Sequence, residues 1–279
     1  MNNDMQIIPL QAAVEAGNAI LDVYQSDFTV DHKADDSPLT LADRRAHDII
    51  TTHLADTNIP VLSEEGRHIP FQERRNWHRL WMVDPLDGTK EFVKRNGEFT
   101  VNIALIENGH PVLGVVFVPV KSALYFGARG MGAYLLEDRT IIKAVAAGGV
   151  TAVDDVLSRA TRLPKAIPSR TAIKVVGSRS HLTDEVKAFV EEMRNRHGEV
   201  EFTSAGSSLK ICLVASGEAD IYPRLGPTME WDIAAGHAVA ENAGARFYCH
   251  GTNQPMVYNR EDLLNPWFVV ERAGFSVDR

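Results

Sequence analysis

The sequence predicts a mixed α/β protein in two successive halves, α+β as far as residue 138 and α/β from residue 173 onward. Three patterns predict it. The chain opens on helical apolar spacing, passes through a run of hairpin-linked apolar segments between residues 100 and 136, and then alternates short strand and helix patterns. At 279 residues with 44% hydrophobic and 24% charged residues, it has the composition of a folded protein with a full core. A net charge of −8 argues against a surface built to coat nucleic acid or anionic lipid, so a polyanionic ligand must be held locally, by metal or by a few placed cations. No apolar run reaches the roughly 18 residues of a membrane span, and the start MNNDMQIIPLQAAVEAG lacks the basic, then apolar, pattern of a signal peptide. Two cysteines exclude a disulfide framework, and the expected compartment is a reducing cytoplasm.

In chain order, Ile7, Leu10, Val14, Gly17, Leu21 and Tyr24 recur at gaps of three and four and predict an amphipathic helix. Thr40, followed three residues later by Asp43, suits a second helix start, with Ala46, Ile49, Ile50 and Leu54 as its buried face. Two short strands, Ile59 to Ser63 and Arg79 to Val83, run straight into acidic residues, Glu64 and Asp84. TVNIALI and VLGVVFV flank Asn108-Gly109, a strong hairpin-turn pair, and SALYFGA and AYLLE extend the meander. Residues 1–138 are read as one domain, 139–172 as a connection rich in Ala, Gly, Val and Thr, and 173–279 as a second domain. In the last, KVVGS, a helix near Thr183 to Arg194, VEFTS, a helix from Ser207, ADIYP, a helix from Asp232 to Asn242, and ARFYC alternate.

The most informative segment is Trp81-Met82-Val83-Asp84-Pro85-Leu86-Asp87-Gly88-Thr89. Pro85 biases Asp84 toward extended backbone and Gly88 relieves the turn, so a strand can end in two carboxylates with Thr89 opening a helix. Carboxylates, a carbonyl and a hydroxyl are hard oxygen donors suited to Mg²⁺, and N–H groups at a helix start favour an anion. Alone, the segment is equally well read as a solvated Asp-Pro turn. Ser63-Glu64-Glu65-Gly66 alone reads first as a surface turn, and Asp232 in WDIAAG alone is as good an N-cap as a ligand. Jointly, three acidic strand or helix ends without matching bases need cations to offset their repulsion, which favours a polynuclear Mg²⁺ site. His32, His47, His53, His68 and His78 show no ligand spacing and read as surface, and Cys212 reads as a buried structural residue.

The Glu-Glu pair, the DPLDGT segment and the late WDIAAG segment resemble the Mg²⁺-dependent, lithium-inhibited phosphatases of the inositol monophosphatase superfamily. The closer resemblance is to the CysQ-type 3'(2'),5'-bisphosphate nucleotidases, through 37–43 (SPLTLAD), 61–65 (VLSEE), 81–103, 177–181 (GSRSH) and 206–239. It implies a layered αβαβα sugar-phosphatase-like fold. It also implies two or three Mg²⁺ held by Glu64, Asp84, the Leu86 carbonyl, Asp87 and Asp232. Thr89 paired with Asp43, together with Glu64, would orient or deprotonate the attacking water. Substrate would be held by Glu64, Leu86, Asp87, Gly88, Thr89 and Asp232 on the metal side, and by His181, Ser207, Lys210 and Arg224 around the nucleotide and its uncleaved phosphate. Read singly, those last four are a helix-start residue, an N-cap and two surface charges. Trp231 reads equally as a base-stacking or a core residue.

The implied activity is that of a phosphoric monoester hydrolase: removal of the 3'-phosphate of adenosine 3',5'-bisphosphate, and of 3'-phosphoadenylyl sulfate, in sulfur assimilation. Two alternatives stay open, an inositol or sugar phosphatase of the same superfamily and a nucleotide sensor without turnover. The partner is a small nucleotide, with no nucleic acid polymer. Peripheral association with the cytoplasmic face of the inner membrane is implied by resemblance alone. Against the resemblance, the 139–172 connection is long and Met229-Glu230 is more acidic than expected.

Overall fold

A computed structural model of the chain describes residues 2–26, 30–32, 38–166, 171–178 and 183–277. Helix α1 (Asn3–Tyr24) is followed by a two-stranded ribbon of β1 (Val30–His32) and β2 (Pro38–Thr40), then α2 (Leu41–Ala55), β3 (Val61–Ser63) and α3 (Phe71–Arg74). Strand β4 (Arg79–Asp87) leads through α4 (Thr89–Val93) into the meander β5 (Thr100–Glu107), β6 (His110–Val118), β7 (Ala123–Ala128) and β8 (Gly132–Leu136). Asn108 and Gly109 both adopt positive φ, 50° and 78°, as a tight hairpin turn demands. Two helices, α5 (Arg139–Ala146) and α6 (Val153–Leu157), precede β9 (Thr161–Leu163). The remainder is β10 (Ile173–Ser178), α7 (Asp184–His197), β11 (Val200–Ala205), α8 (Leu209–Ser216), β12 (Ile221–Arg224), α9 (Glu230–Asn242), β13 (Arg246–Cys249) and β14 (Phe268–Glu271).

The strands form two larger sheets. A seven-stranded sheet runs β3-β4-β5-β6-β7-β8-β9, parallel only at β3–β4, and a five-stranded sheet runs β11-β10-β12-β14-β13 with parallel and antiparallel halves. Side-chain alternation along the strands builds the layers. On β4 and β5, Trp81, Val83, Val101, Ile103 and Leu105 face α1, α2, α5 and α6, while Leu80, Met82, Ala104 and Ile106 face α8 and α9. Helices α8 and α9 are covered on their far side by Tyr222, Phe247, Phe268 and Val270 of the five-stranded sheet. Val175, Ile221 and Val269 on the outer face of that sheet pack against Val190 and Met193 of α7. The order is therefore αβαβα, as the resemblance implies.

Two details position the site. Residues 139–163, which the sequence assigns to a connection, carry two helices packed into the α1–α2 layer and a strand that completes the first sheet; no apolar run in that stretch is long enough to signal them. Helix α9 lies between the sheets at very close range: a Cβ on Gly114 of β6 would stand 2.1 Å from the Ala235 carbonyl oxygen and 2.8 Å from Ala238 Cβ. Only glycine against alanine permits that approach.

Candidate active site

The end of β4 is bulged. Asp84 lies opposite Asn102 and Asp87 opposite Thr100, so three steps on β4 meet two on β5. Pro85, which has no N–H to pair, falls inside the irregularity. Asp84 is 1% exposed and its Oδ1 accepts the Leu86 N–H at 3.1 Å. Gly88 follows at φ +92°, where an L side chain is strained and a Cβ would press on the Glu98 carbonyl at 3.1 Å. Thr89 then opens α4, with its Oγ1 donating weakly to the Leu86 carbonyl at 3.4 Å. That helix is only five residues long, so its N–H groups amount to a single turn.

Three other elements bring carboxylates to this point. Glu64 leaves edge strand β3 in a turn closed by Gly66 N–H to the Ser63 carbonyl (3.1 Å), while its own N–H donates to the Val83 carbonyl (3.1 Å). Asp43 is buried in the first turn of α2, close enough to raise the Asp84 pKa by its charge. Asp232 is the third residue of α9, and its Oδ2 accepts the Met229 N–H at 2.9 Å. The capping alternative is thus realised, and the cap occupies only one of the two carboxylate oxygens.

Oxygens of Glu64, Asp84 and Asp232 lie within 4.8 Å of one another. Burial, and then the charges of Glu64, Asp87, Asp232 and Asp43, push the Asp84 carboxyl well above its usual range; burial, then Asp87 and Glu64, do the same to Asp232. Asp87 is raised less, because Lys210 and hydrogen bonds from Ser208 and Asn102 favour its charged form. Its Oδ2 accepts the Ser208 N–H at 2.7 Å. Hard oxygens that repel one another in this way, from buried Asp84 out to exposed Glu64, fit a divalent cation such as Mg²⁺.

Glu64, Asp84, Asp87 and Asp232 line a cleft of about 320 Å³ together with Leu86, Gly88 and Thr89. Lys90, Glu91, Ser178, Ser207, Ser208, Lys210, Tyr222, Arg224 and Thr228 line it as well. Lys210 is buried under the Tyr222 ring, its ammonium 5.7 Å from the centroid, and donates to the Ser207 (2.6 Å) and Ala205 (3.3 Å) carbonyls. Burial brings its pKa down to about 8. Arg224 Nη2 donates to the Pro227 carbonyl at 2.6 Å, leaving its buried Nε without a protein acceptor, and the buried Ser207 Oγ likewise has none. His181 lies outside the described residues. Every other predicted site residue except Asp43 lines the cleft.

Trp231 is absent from the cleft lining and packs against the core below α9. Among the histidines read as surface, His68 and His78 are exposed, but His47 and His53 are half-buried against Ser63 (2.9 Å) and Glu15 (2.7 Å). Cys212 is buried, as expected. The sequence reading missed Ser178, Ser208, Tyr222, Thr228 and Asn102. Asn102 carried a signal: it is a lone amide in an apolar strand, and it faces inward to donate to Ser208 Oγ at 3.0 Å. Ser208 Oγ in turn donates to the Asp232 carbonyl.

A profile of the inositol monophosphatase family matches residues 1–272. The chain belongs to that family. Among curated relatives, the 3'(2'),5'-bisphosphate nucleotidase CysQ of Salmonella typhimurium is 45% identical over 264 residues, covering 93% of this chain and 96% of its own. Among solved structures, CysQ from Bacteroides thetaiotaomicron aligns at 50% identity and a TM-score of 0.84, over 95% of this chain and 96% of that one. An inositol monophosphatase from Zymomonas mobilis, 20% identical, shares the fold at a TM-score of 0.71 over 97% and 93% of the two chains. Family membership carries Mg²⁺ dependence in general, and the carboxylate cluster fits it. Among the described residues no helix is long and apolar enough to cross a membrane.

Proposed function

We propose that this protein is a Mg²⁺-dependent 3'(2'),5'-bisphosphate nucleotidase that releases the 3'-phosphate of adenosine 3',5'-bisphosphate, giving AMP and phosphate, in sulfur assimilation. 3'-Phosphoadenylyl sulfate, which carries the same 3'-phosphate, is a second substrate. The observation that carries the reading is the presence, in the lining of one cleft, of both the Glu64–Asp84–Asp232 cluster and the Lys210–Arg224 pair. The carboxylates call for cations that take the scissile phosphate; the basic pair suits a second phosphate on the same small molecule. An apolar recess of about 110 Å³, lined by Val186, Pro223, Leu225 and Pro227, adjoins the cleft through Ser178, Tyr222 and Arg224 and offers room for a base. These features, with the CysQ relatives at 45–50% identity, favour the nucleotidase over an inositol phosphatase.

In this reading Glu64, Asp84, the Leu86 carbonyl, Asp87 and Asp232 hold two or three Mg²⁺. Bound there, the ions supply Lewis-acid stabilisation of the attacking and leaving oxygens and make water a better nucleophile at neutral pH. The chain's own part is orientation and proton handling. Thr89 Oγ1 presents a hydroxyl at the start of α4, and Asp43 with Glu64 provides carboxylates to accept the proton lost by the attacking water. Gly88 keeps the turn low enough for a phosphate to approach the backbone. Ser207, Lys210 and Arg224, with His181, orient the nucleotide and its 5'-phosphate. With Asp84 and Asp232 raised, binding of a divalent cation would be coupled to proton release from these carboxyls and would weaken as the pH falls. The test is phosphate release from adenosine 3',5'-bisphosphate, inositol 1-phosphate and fructose 1,6-bisphosphate under saturating Mg²⁺. Preference for either of the last two overturns the assignment, and Mg²⁺-independent binding without release returns the sensor alternative.

A further inference from the structure

Asp232 is the one clustered carboxylate that comes from the second half of the chain, so the cluster's shape depends on where the start of α9 sits against β3 and β4. Along its length α9 meets β6 of the first sheet through Ala235 and Ala238 against Gly114, a close contact that fixes the helix-to-sheet distance. The start of the helix is held differently.

A buried polar network surrounds it. Glu230, two residues before Asp232, is fully buried, and its oxygens accept from Asn259 N (2.6 Å), Arg260 N (3.2 Å) and Arg260 Nε (3.0 Å). Glu230 N donates to the Leu263 carbonyl (2.9 Å), and Asn265 Nδ2 donates to the Met229 carbonyl (2.7 Å). Met229 is the residue whose N–H caps onto Asp232. The loop that grips this helix start is anchored at its other side on Arg74 of α3. Arg74, 3% exposed, donates from Nη1 to Asn259 Oδ1 (2.9 Å) and the Arg260 carbonyl (2.6 Å), and from Nη2 to the Glu261 carbonyl (3.0 Å). Asn259, in a left-handed conformation at φ +64°, returns a bond from Nδ2 to the Arg74 carbonyl at 2.9 Å. Arg74 itself lies midway in sequence between Glu64 and Asp84.

We infer that the Arg74–Asn259–Glu230 network is a positioning device for the metal cluster: it ties the segment between Glu64 and Asp84 to the helix start that carries Asp232, and so sets the cluster's affinity for its divalent cation. Because Arg74 and Glu230 are buried, Asn259 and Arg260 are partly so, and all are mutually bonded, losing one leaves others without partners and the loop loses its register. This also accounts for the acidity at position 230 that the sequence alone leaves odd. The inference rests on the reading that Glu64, Asp84 and Asp232 hold Mg²⁺.

The full-length protein tests it. Asn259→Gly deletes the linking side chain while keeping a residue at ease at positive φ, and Arg74→Lys keeps the charge but not the fork of donors. Mg²⁺ binding without substrate, by titration calorimetry, and the Mg²⁺ activation constant of phosphate release are compared with the thermal midpoint in EDTA. Val190→Ala on α7, remote from the cluster, is the stability control. The expected result is a roughly tenfold weaker Mg²⁺ affinity and a matching rise in activation constant for Asn259→Gly, the low end for losing an outer partner of a metal site. Arg74→Lys should shift both the same way, the double variant should add little, kcat at saturating Mg²⁺ should persist, and Val190→Ala should leave the Mg²⁺ constants alone. If Asn259→Gly does not fold, Arg74→Lys carries the test. Unchanged Mg²⁺ constants in the network variants, or an equal shift in Val190→Ala, would overturn the inference. A wild-type protein that binds no Mg²⁺, or an Asp84→Asn variant that binds it as well as wild type, would instead overturn the metal reading and the inference with it.

Discussion

Replacing Asp84 by Asn should remove turnover and at the same time make the metal-free protein more stable. Asn is the same shape, and its Oδ1 can still accept the Leu86 N–H that Asp84 receives at 3.1 Å. What changes is charge. Two unit charges 4.8 Å apart repel by about 3.5 kcal/mol at an effective dielectric of about 20, and Asp84 has both Glu64 and Asp232 within that distance. The folded protein escapes part of this by taking up a proton, and protonating a carboxyl of ordinary pKa 3.8 at pH 7 costs about 4.4 kcal/mol, which caps the strain one proton can relieve. The gain from Asp84→Asn in EDTA at pH 7 is therefore about 1–4 kcal/mol, read as a higher thermal midpoint. Its pH dependence has a fixed sign. A carboxyl raised by folding binds a proton that the unfolded chain releases, so wild-type stability without metal falls as pH rises above 3.8, and the advantage of the variant shrinks as the pH is lowered toward that value. Adding Mg²⁺ at about 100 times its Kd should stabilise the wild type by about 2.7 kcal/mol and leave the variant where it was, narrowing or reversing the order. A variant less stable than wild type in EDTA at pH 7, or one with near wild-type turnover, would refute the reasoning.

Arg224→Ala should cost bisphosphate turnover about 1.5–3 kcal/mol, roughly a tenfold to hundredfold loss in kcat/KM, while sparing a small monophosphate substrate. Lys210→Ala should depress both substrates, because Lys210 also tethers the Ser207 carbonyl beside the Ser208 N–H that holds Asp87; kinetics on adenosine 3',5'-bisphosphate and inositol 1-phosphate separate the two. His237 is buried, bonded to Tyr258 Oη at 2.8 Å, and burial pushes its pKa down to about 3 from 6.5. The unfolded chain takes up a proton that the fold rejects, so wild-type stability should drop by about 2 kcal/mol more than that of His237→Gln between pH 7 and pH 5 in urea titrations. Gly114→Ala forces a methyl to within 2.1 Å of the Ala235 carbonyl, and should cost about 1–3 kcal/mol by urea denaturation and raise the Mg²⁺ activation constant, since Asp232 rides on the displaced helix.

The acidic cluster and its turn were legible because they are local: one strand end, one bulge and one glycine turn put Asp84, Leu86, Asp87 and Thr89 within a few residues of each other. The meander was legible for the same reason, each strand being paired with its neighbour in sequence and marked by a turn such as Asn108-Gly109. What depended on distant packing was hidden. Nothing adjacent to Lys210 says that its ammonium will lie buried against backbone carbonyls rather than in solvent. Nothing near Glu230 names Asn259 and Arg260 as the groups that make a buried carboxylate tolerable. Residues 139–163 look like a linker because their helices are short and their strand has three residues, and only the open edge of β8 gives that strand a reason to exist. Asp232 shows a third case: the sequence left cap and ligand as rivals, and in the structure the carboxylate that caps α9 also lies in the acidic cluster, so the two readings do not exclude each other.

The three clustered carboxylates are not held alike. Asp84 and Asp232 are each pinned by a backbone N–H, one in a bulged central strand and the other at the start of a helix walled in by two sheets. Glu64 stands on an exposed turn after an edge strand. On the metal reading proposed above, ion traffic would have a direction. A cation arriving from solvent would meet Glu64 first and a departing one would leave it last, and the inner pair would not need to move at either event. The rate of exchange would then belong to the short turn at 63–66 and the tightness of binding to the strand end and helix start behind it, so separate substitutions would alter the two quantities.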